Sequence, residues 1–180
     1  NRGQSKNSLT PIVSKPMVPE PDRGVFTLTP IVAPLLAVVL AAGASRRFGS
    51  DKRIALTPAG TSPAGTSPAG TSLLQATVSA LAGHADAIYI AIRPEDVIDE
   101  RWPGSSSAAA VHYVRAPRAD EGMGCSLADA VRQLPGGCDV LVALADMPFI
   151  QSATVGRLVH HFRHSRKNVP IVFPQLVGAM

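Results

Sequence analysis

The chain has 180 residues, 46 % apolar and only 17 % charged, the size of one compact domain rather than a charge-rich disordered segment. Its net charge of +4 and its 4 % aromatic content leave little for stacking on bases, which argues against a dedicated nucleic-acid binder. The basic excess lies at the two ends, and the stretch 35–150, with nine basic and eleven acidic residues, is close to neutral. Cys125 and Cys138 form no C-x-x-C pair, so neither a zinc knuckle nor a disulfide framework is available. A reducing, cytoplasmic setting is the default for such thiols.

Residues 1–34 read as a disordered or linker-like segment rich in Pro, Gly, Ser and Asn, without a sustained hydrophobic period. The apolar run from Val25 to Ala44 has roughly the length of a membrane span, and its end resembles an export signal. Pro30 and Pro34 would break a helix there, and Thr27 and Thr29 dilute it. A buried strand over 35–40 that runs into a glycine loop is the better reading, and fractionation would test the membrane alternative. Pro58-Ala-Gly-Thr-Ser62 then recurs twice up to Ser72. Such short units build no solenoid, so the repeat reads as an expanded surface loop, which costs little.

Ser72 is placed to cap a helix whose face is Leu73, Leu74, Thr77, Val78 and Leu81, ending at Gly83. Strands are predicted over 87–92 and 111–115. A helix capped by Ser126 carries Leu127, Ala130, Val131 and Leu134, and a strand follows over 139–144. Val155, Leu158, Val159 and Phe162 mark a last helix, and 171–173 starts a final strand. Strands apolar on both faces and separated by helices imply a mostly parallel α/β sheet covered on both sides, with ligands at the carboxyl ends of the strands.

The loop Leu40-Ala41-Ala42-Gly43-Ala44-Ser45-Arg46-Arg47-Phe48-Gly49-Ser50-Asp51-Lys52 combines small residues, two glycines and three cations. Small side chains let a ligand approach the backbone, and converging N–H groups suit phosphate oxygens. It is not a G-x-x-x-x-G-K-(S/T) loop, because Phe48 follows Gly43 by five and Arg53 follows Lys52. Nor is it a dinucleotide G-x-G-x-x-G, and the second strand ends in Arg93 rather than an acidic residue.

The loop satisfies L-A-A-G-x-S-x-R-(M/F)-G-x-x-K at every defined position. Gly122-Met-Gly-Cys-Ser-Leu127 and Leu144-Ala-Asp146-Met-Pro148 follow in order. In these three motifs the chain resembles the MobA-like nucleotidyltransferases, and among them the molybdenum cofactor cytidylyltransferases. The resemblance covers about 35–180 and implies a three-layer α-β-α, Rossmann-like domain. It implies that CMP passes from CTP to the terminal phosphate of the molybdenum-pterin cofactor, with pyrophosphate released and Mg²⁺ required. GTP as donor, a sugar phosphate as acceptor, or a truncated protein that only binds nucleotide are the alternatives.

By the same resemblance, Leu40, Ala41, Ala42, Gly43, Ser45, Arg47, Gly49, Lys52, Gly124 and Ser126 bind the nucleotide. Arg47 and Lys52 neutralise the departing pyrophosphate, and Asp146 holds the metal. Ala42, where guanylyl members carry glycine, points to CTP. Molybdopterin as acceptor and transient contact with molybdoenzyme maturation proteins are the implied partners, with no role for nucleic acid or membrane. Family members continue past the last strand with further sheet and another acidic ligand, so the expectation is an incomplete domain that folds and turns over poorly by itself. Without the resemblance, Asp146 reads as a strand-end turn residue and Ser126 as a helix cap. Cys125 reads as a packing residue, and His160 and His164 as part of a solvated cationic face.

Overall fold

The computed structural model describes residues 33–43, 51–56, 70–104, 109–165 and 171–174, all within the unit 32–180. Most of the linker-like segment and of the repeat loop lie outside these residues. Four strands, β1 (Leu35–Leu40), β2 (Ala87–Ile92), β3 (Ala110–Arg115) and β4 (Asp139–Leu144), form a parallel sheet in the order β3-β2-β1-β4. Helices α1 (Leu73–Leu81), α2 (Met123–Val131) and α3 (Ser152–Ser165) complete the layers. The fold is three-layer α/β, as the alternation of apolar strands and amphipathic helices predicts.

Period two decides which side chain meets which layer. Leu35, Ala37 and Val39 of β1 join Ile88, Ile90 and Ile92 of β2 in the larger core, under Leu74, Val78 and Leu81 of α1 and Val155 and Val159 of α3. Val38 and Ala91 point to the other face, against Ala130 and Leu127 of α2. The central strand is therefore apolar at every position, because both its faces are covered.

Ser72 caps α1, its Oγ accepting from the Gln75 amide at 3.1 Å. Replacing Ser72 by alanine is expected to remove about 1 kcal/mol of stability, measurable as a shift in urea midpoint at constant slope.

Four expectations need correction. Helix α2 begins at Met123, so Ser126 is not its cap; it lies in the first turn, buried, and its hydroxyl donates to the Gly122 carbonyl at 3.3 Å. Gly122 makes the earlier start feasible, since its φ of 122° is open to glycine and strained for other residues. Second, strands and helices do not alternate throughout: no helix forms in the described part of the β2–β3 connection. Trp102 fills that place instead, buried in the larger core and edge-on to Tyr113 at 5.8 Å. Third, among the described residues β4 is covered on one face only: Leu141 and Ala143 join the core, while Val140, Val142 and Leu144 are exposed. Fourth, 171–173 is not a strand; Ile171 and Phe173 are exposed and pair with nothing in the described sheet.

No helix among the described residues is long and apolar enough to cross a membrane. The described core of the apolar run, 35–40, is an inner strand of the sheet rather than a membrane helix. His160 and His164 are exposed on α3, and His164 Nδ1 lies 2.7 Å from the His160 carbonyl.

Candidate active site

The chain leaves β1 for β2 and β3 on one side, then returns through α2 to place β4 on the other. The carboxyl ends of β1 and β4 therefore flank a topological switch point, the place where open α/β sheets take their ligands. Leu40 and Leu144 are ladder partners. Beyond them the Ala145 amide donates to the Leu40 carbonyl at 3.1 Å, while the Ala41 amide donates to the Ala91 carbonyl at 2.9 Å. These bonds set Ala41–Gly43 and Asp146 side by side at the rim. Thr77 of α1, fully buried, reaches the Ala145 carbonyl at 3.4 Å and the Leu73 carbonyl at 3.1 Å, tying the turn before Asp146 to the helix layer. Asp146 itself is exposed.

Ala41 and Ala42 are both buried, and their carbonyls are held by two arginines from elsewhere in the chain. Arg53 Nη1 donates to the Ala41 carbonyl at 3.0 Å, and Arg93 Nε to the Ala42 carbonyl at 2.9 Å. Arg53 also pairs with Asp51 through Nε at 2.8 Å and Nη2 at 2.8 Å, and with Asp96 through Nη1 and, at 2.7 Å, Nη2. Its guanidinium lies over the Trp102 ring, 4.8 Å from the centroid, adding a cation–π contact. Asp96 in turn accepts from the Arg93 amide at 2.8 Å. Arg115 closes the turn by donating to the Arg93 carbonyl at 2.8 Å and the Asp96 carbonyl at 2.7 Å.

Hydrogen bonds from Arg53 hold the Asp51 carboxyl below the usual carboxylate range. Burial pushes Asp96 upward, but the Arg53 and Arg93 donors outweigh it and the net shift is again downward. Burial likewise disfavours charged Arg53, yet its two carboxylate partners raise its pKa. Asp51, Asp96 and Arg53 are therefore all charged at neutral pH.

At the start of α2, Arg118 clamps Asp129, donating from its amide at 3.0 Å and from Nε at 2.9 Å. This holds the segment Gly122–Ser126 at the same end of the sheet, just after β3, with Leu127 in the small core that Leu40 borders. Gly124 is exposed in that first turn, and Cys125 Sγ donates to Glu121 Oε2 at 3.6 Å.

Of the residues singled out from the sequence, Leu40, Ala41, Ala42, Gly43 and Asp146 meet at the switch point, and Gly124 and Ser126 lie on α2 at the same end of the sheet. Lys52 opens a short 3₁₀ turn, Lys52–Ile54. Ser45, Arg47 and Gly49 lie outside the described residues. The sequence reading gave no place at this rim to Arg53, Arg93, Asp96 or Thr77. The spacing of Asp51 and Arg53, and the Arg-Pro-Glu-Asp run closing β2, were the available signals.

Residues 37–178 match the MobA-like NTP transferase domain. No curated protein matches the chain. Among solved structures, the fold is shared with Rv0371c from Mycobacterium tuberculosis H37Rv, with a TM-score of 0.52 and 22 % identity over 72 % of this chain and 60 % of that one. It is also shared with 4-diphosphocytidyl-2C-methyl-D-erythritol synthase from Anaerococcus prevotii, with a TM-score of 0.51 and 19 % identity over 73 % and 51 %. A nucleotidyl transferase from Methanothermobacter aligns with a TM-score of 0.50 and 26 % identity over 71 % and 57 %. The matched region thus spans 51 to 60 % of the length of these three structures. With most of its length inside the matched region, and with the sheet order and switch-point turn described above, the chain belongs to the MobA-like NTP transferase family.

Proposed function

We propose that the protein is a nucleotidyltransferase that passes CMP from CTP to the terminal phosphate of a molybdenum-pterin cofactor. The observation that carries this reading is the convergence, at one switch point, of the buried Ala41–Ala42 turn and the carboxylate of Asp146. An oxygen of the acceptor phosphate attacks the α-phosphorus, the bond from that phosphorus to the β-phosphate bridge breaks, and pyrophosphate leaves. Such transfer needs alignment and charge stabilisation more than covalent help, so no general base is required.

The amides of the post-β1 turn, with Arg47 and Lys52, would bind the β- and γ-phosphates, and Gly124 and Ser126 would border the nucleotide. Among the described residues no three ligating side chains gather into a cage. An exposed carboxylate at the rim such as Asp146 suits Mg²⁺, which is commonly held by one or two carboxylates together with substrate phosphates and water. Asp146 would hold it, and when bound it supplies charge neutralisation at the α-phosphate. Ala42, with a methyl group where a glycine would leave more room, favours a pyrimidine base.

The test is pyrophosphate release from CTP or GTP with molybdopterin or sugar phosphates as acceptors. Release from CTP with molybdopterin, dependent on Mg²⁺, is the expected result. Release only with GTP or only with a sugar phosphate would replace the donor or the acceptor. Nucleotide binding without any release would overturn the transferase reading in favour of a binding protein.

A further inference from the structure

We infer that Arg53 and Arg93 are positioning residues that set which way two successive peptide groups of the post-β1 turn face. The inference rests on the nucleotide reading of that turn and extends it to groups that need touch no substrate. In a trans peptide the carbonyl and the following N–H point in opposite directions, and no cis peptide occurs among the described residues. Arg53 holds the Ala41 carbonyl and Arg93 holds the Ala42 carbonyl. The Ala42 and Gly43 amides are thereby turned away from these two donors. A ligand phosphate would then find N–H groups already directed and not have to pay for a peptide flip.

The two guanidiniums are themselves restrained. Arg53 is held between Asp51 and Asp96 over the Trp102 ring. Arg93 pairs through Nη1 with Glu95 at 3.3 Å and through Nη2 with Asp120 at 3.5 Å, and its amide donates to Asp96 in a turn whose carbonyls accept from Arg115. Asp96 therefore links both arginines, and the 93–96 turn acts as a buttress for the glycine loop. Charge-assisted bonds of this kind are the stronger class, so their loss is felt at the carbonyls they hold.

The experiment uses the ¹⁵N-labelled 180-residue chain with Arg93→Ala and Arg93→Lys. In the nucleotide-free protein, Arg93→Ala is expected to lower the ¹⁵N order parameter of the Gly43 amide, which shares its peptide with the Ala42 carbonyl, from about 0.85 toward about 0.6 or below, while Val38 and Val39 stay rigid. Binding of CTP with Mg²⁺ should weaken about 10-fold. Arg93→Lys keeps the charge but not the planar fork, and should restore only part of both effects. If Arg93→Ala fails to fold, the lysine variant decides by the same two readouts. A Gly43 order parameter that stays at the wild-type value overturns the positioning role, whatever the nucleotide does. A wild-type chain that binds neither CTP nor GTP overturns the nucleotide reading, while a looser Gly43 amide in the variants would still support the hold on the Ala42 carbonyl.

Discussion

Asp146→Asn is expected to slow pyrophosphate release from CTP by at least ~10²-fold, the scale on which a single electrostatic contributor is commonly lost. The substitution keeps the shape of the side chain and removes its charge. The turn that carries it is secured by backbone and by Thr77, through the bonds from Ala145 N to Leu40 O and from Thr77 Oγ1 to Ala145 O. Any change in stability is read separately, as a shift of the urea midpoint at constant slope. Measuring turnover and the urea midpoint on the same preparation separates the two effects. A rate within a factor of three of wild type would remove Asp146 from the metal-binding role.

The largest effect on stability is expected from Arg53→Ala. The Arg53 side chain is 12 % exposed and its partners Asp96 and Asp51 are 9 % and 30 % exposed, so removing the cation strands one largely buried carboxylate and one partly solvated one. Breaking a buried pair from one side costs ~3–5 kcal/mol, and the exposure of Asp51 puts this case at about 3 kcal/mol. The Ala41 carbonyl and the Trp102 ring lose their partner as well. A double variant, Arg53→Ala with Asp96→Ala, should lose less than the sum of the two single losses, because the stranded charge is gone.

The same cluster predicts a pH dependence. Asp51 and Asp96 both titrate below the ordinary carboxylate value in the folded chain. The unfolded chain then binds more protons in that window, so stability rises with pH there. The contribution is complete above the unfolded carboxylate value near 4 and is lost as pH falls through the lowered folded values. Urea unfolding between pH 2 and 6 should show a flatter acid limb in Arg53→Ala than in wild type. Parallel limbs in the two proteins would show that Arg53 does not set these carboxylates.

Local pattern accounts for much of what was legible. β1 is apolar at six successive positions, and a central parallel strand covered on both faces requires that. Ser72 reads as a cap and acts as one, because capping is settled within four residues. Ser126 failed by the same rule: Gly122 and Gly124 are poor helix formers, so propensity puts the start of α2 too late. The glycine turn at 122 and the Arg118–Asp129 clamp start the helix earlier. The exposed face of β4 was also hidden from pattern, since an apolar strand reads alike in the centre and at the edge.

By itself the sequence determined the strand–helix alternation, the small-residue turn after β1, and the order of motifs that ends in Asp146, because each depends on near neighbours and side-chain type. Only the tertiary structure decided that β4 lies beside β1, which brings that turn and Asp146 to one rim. It alone decided that Arg53 and Arg93 hold two successive carbonyls of the turn. Those carbonyls are separated from their donors by 12 and 51 positions along the chain. Contacts across such distances follow from sheet order and packing, which no local spacing encodes.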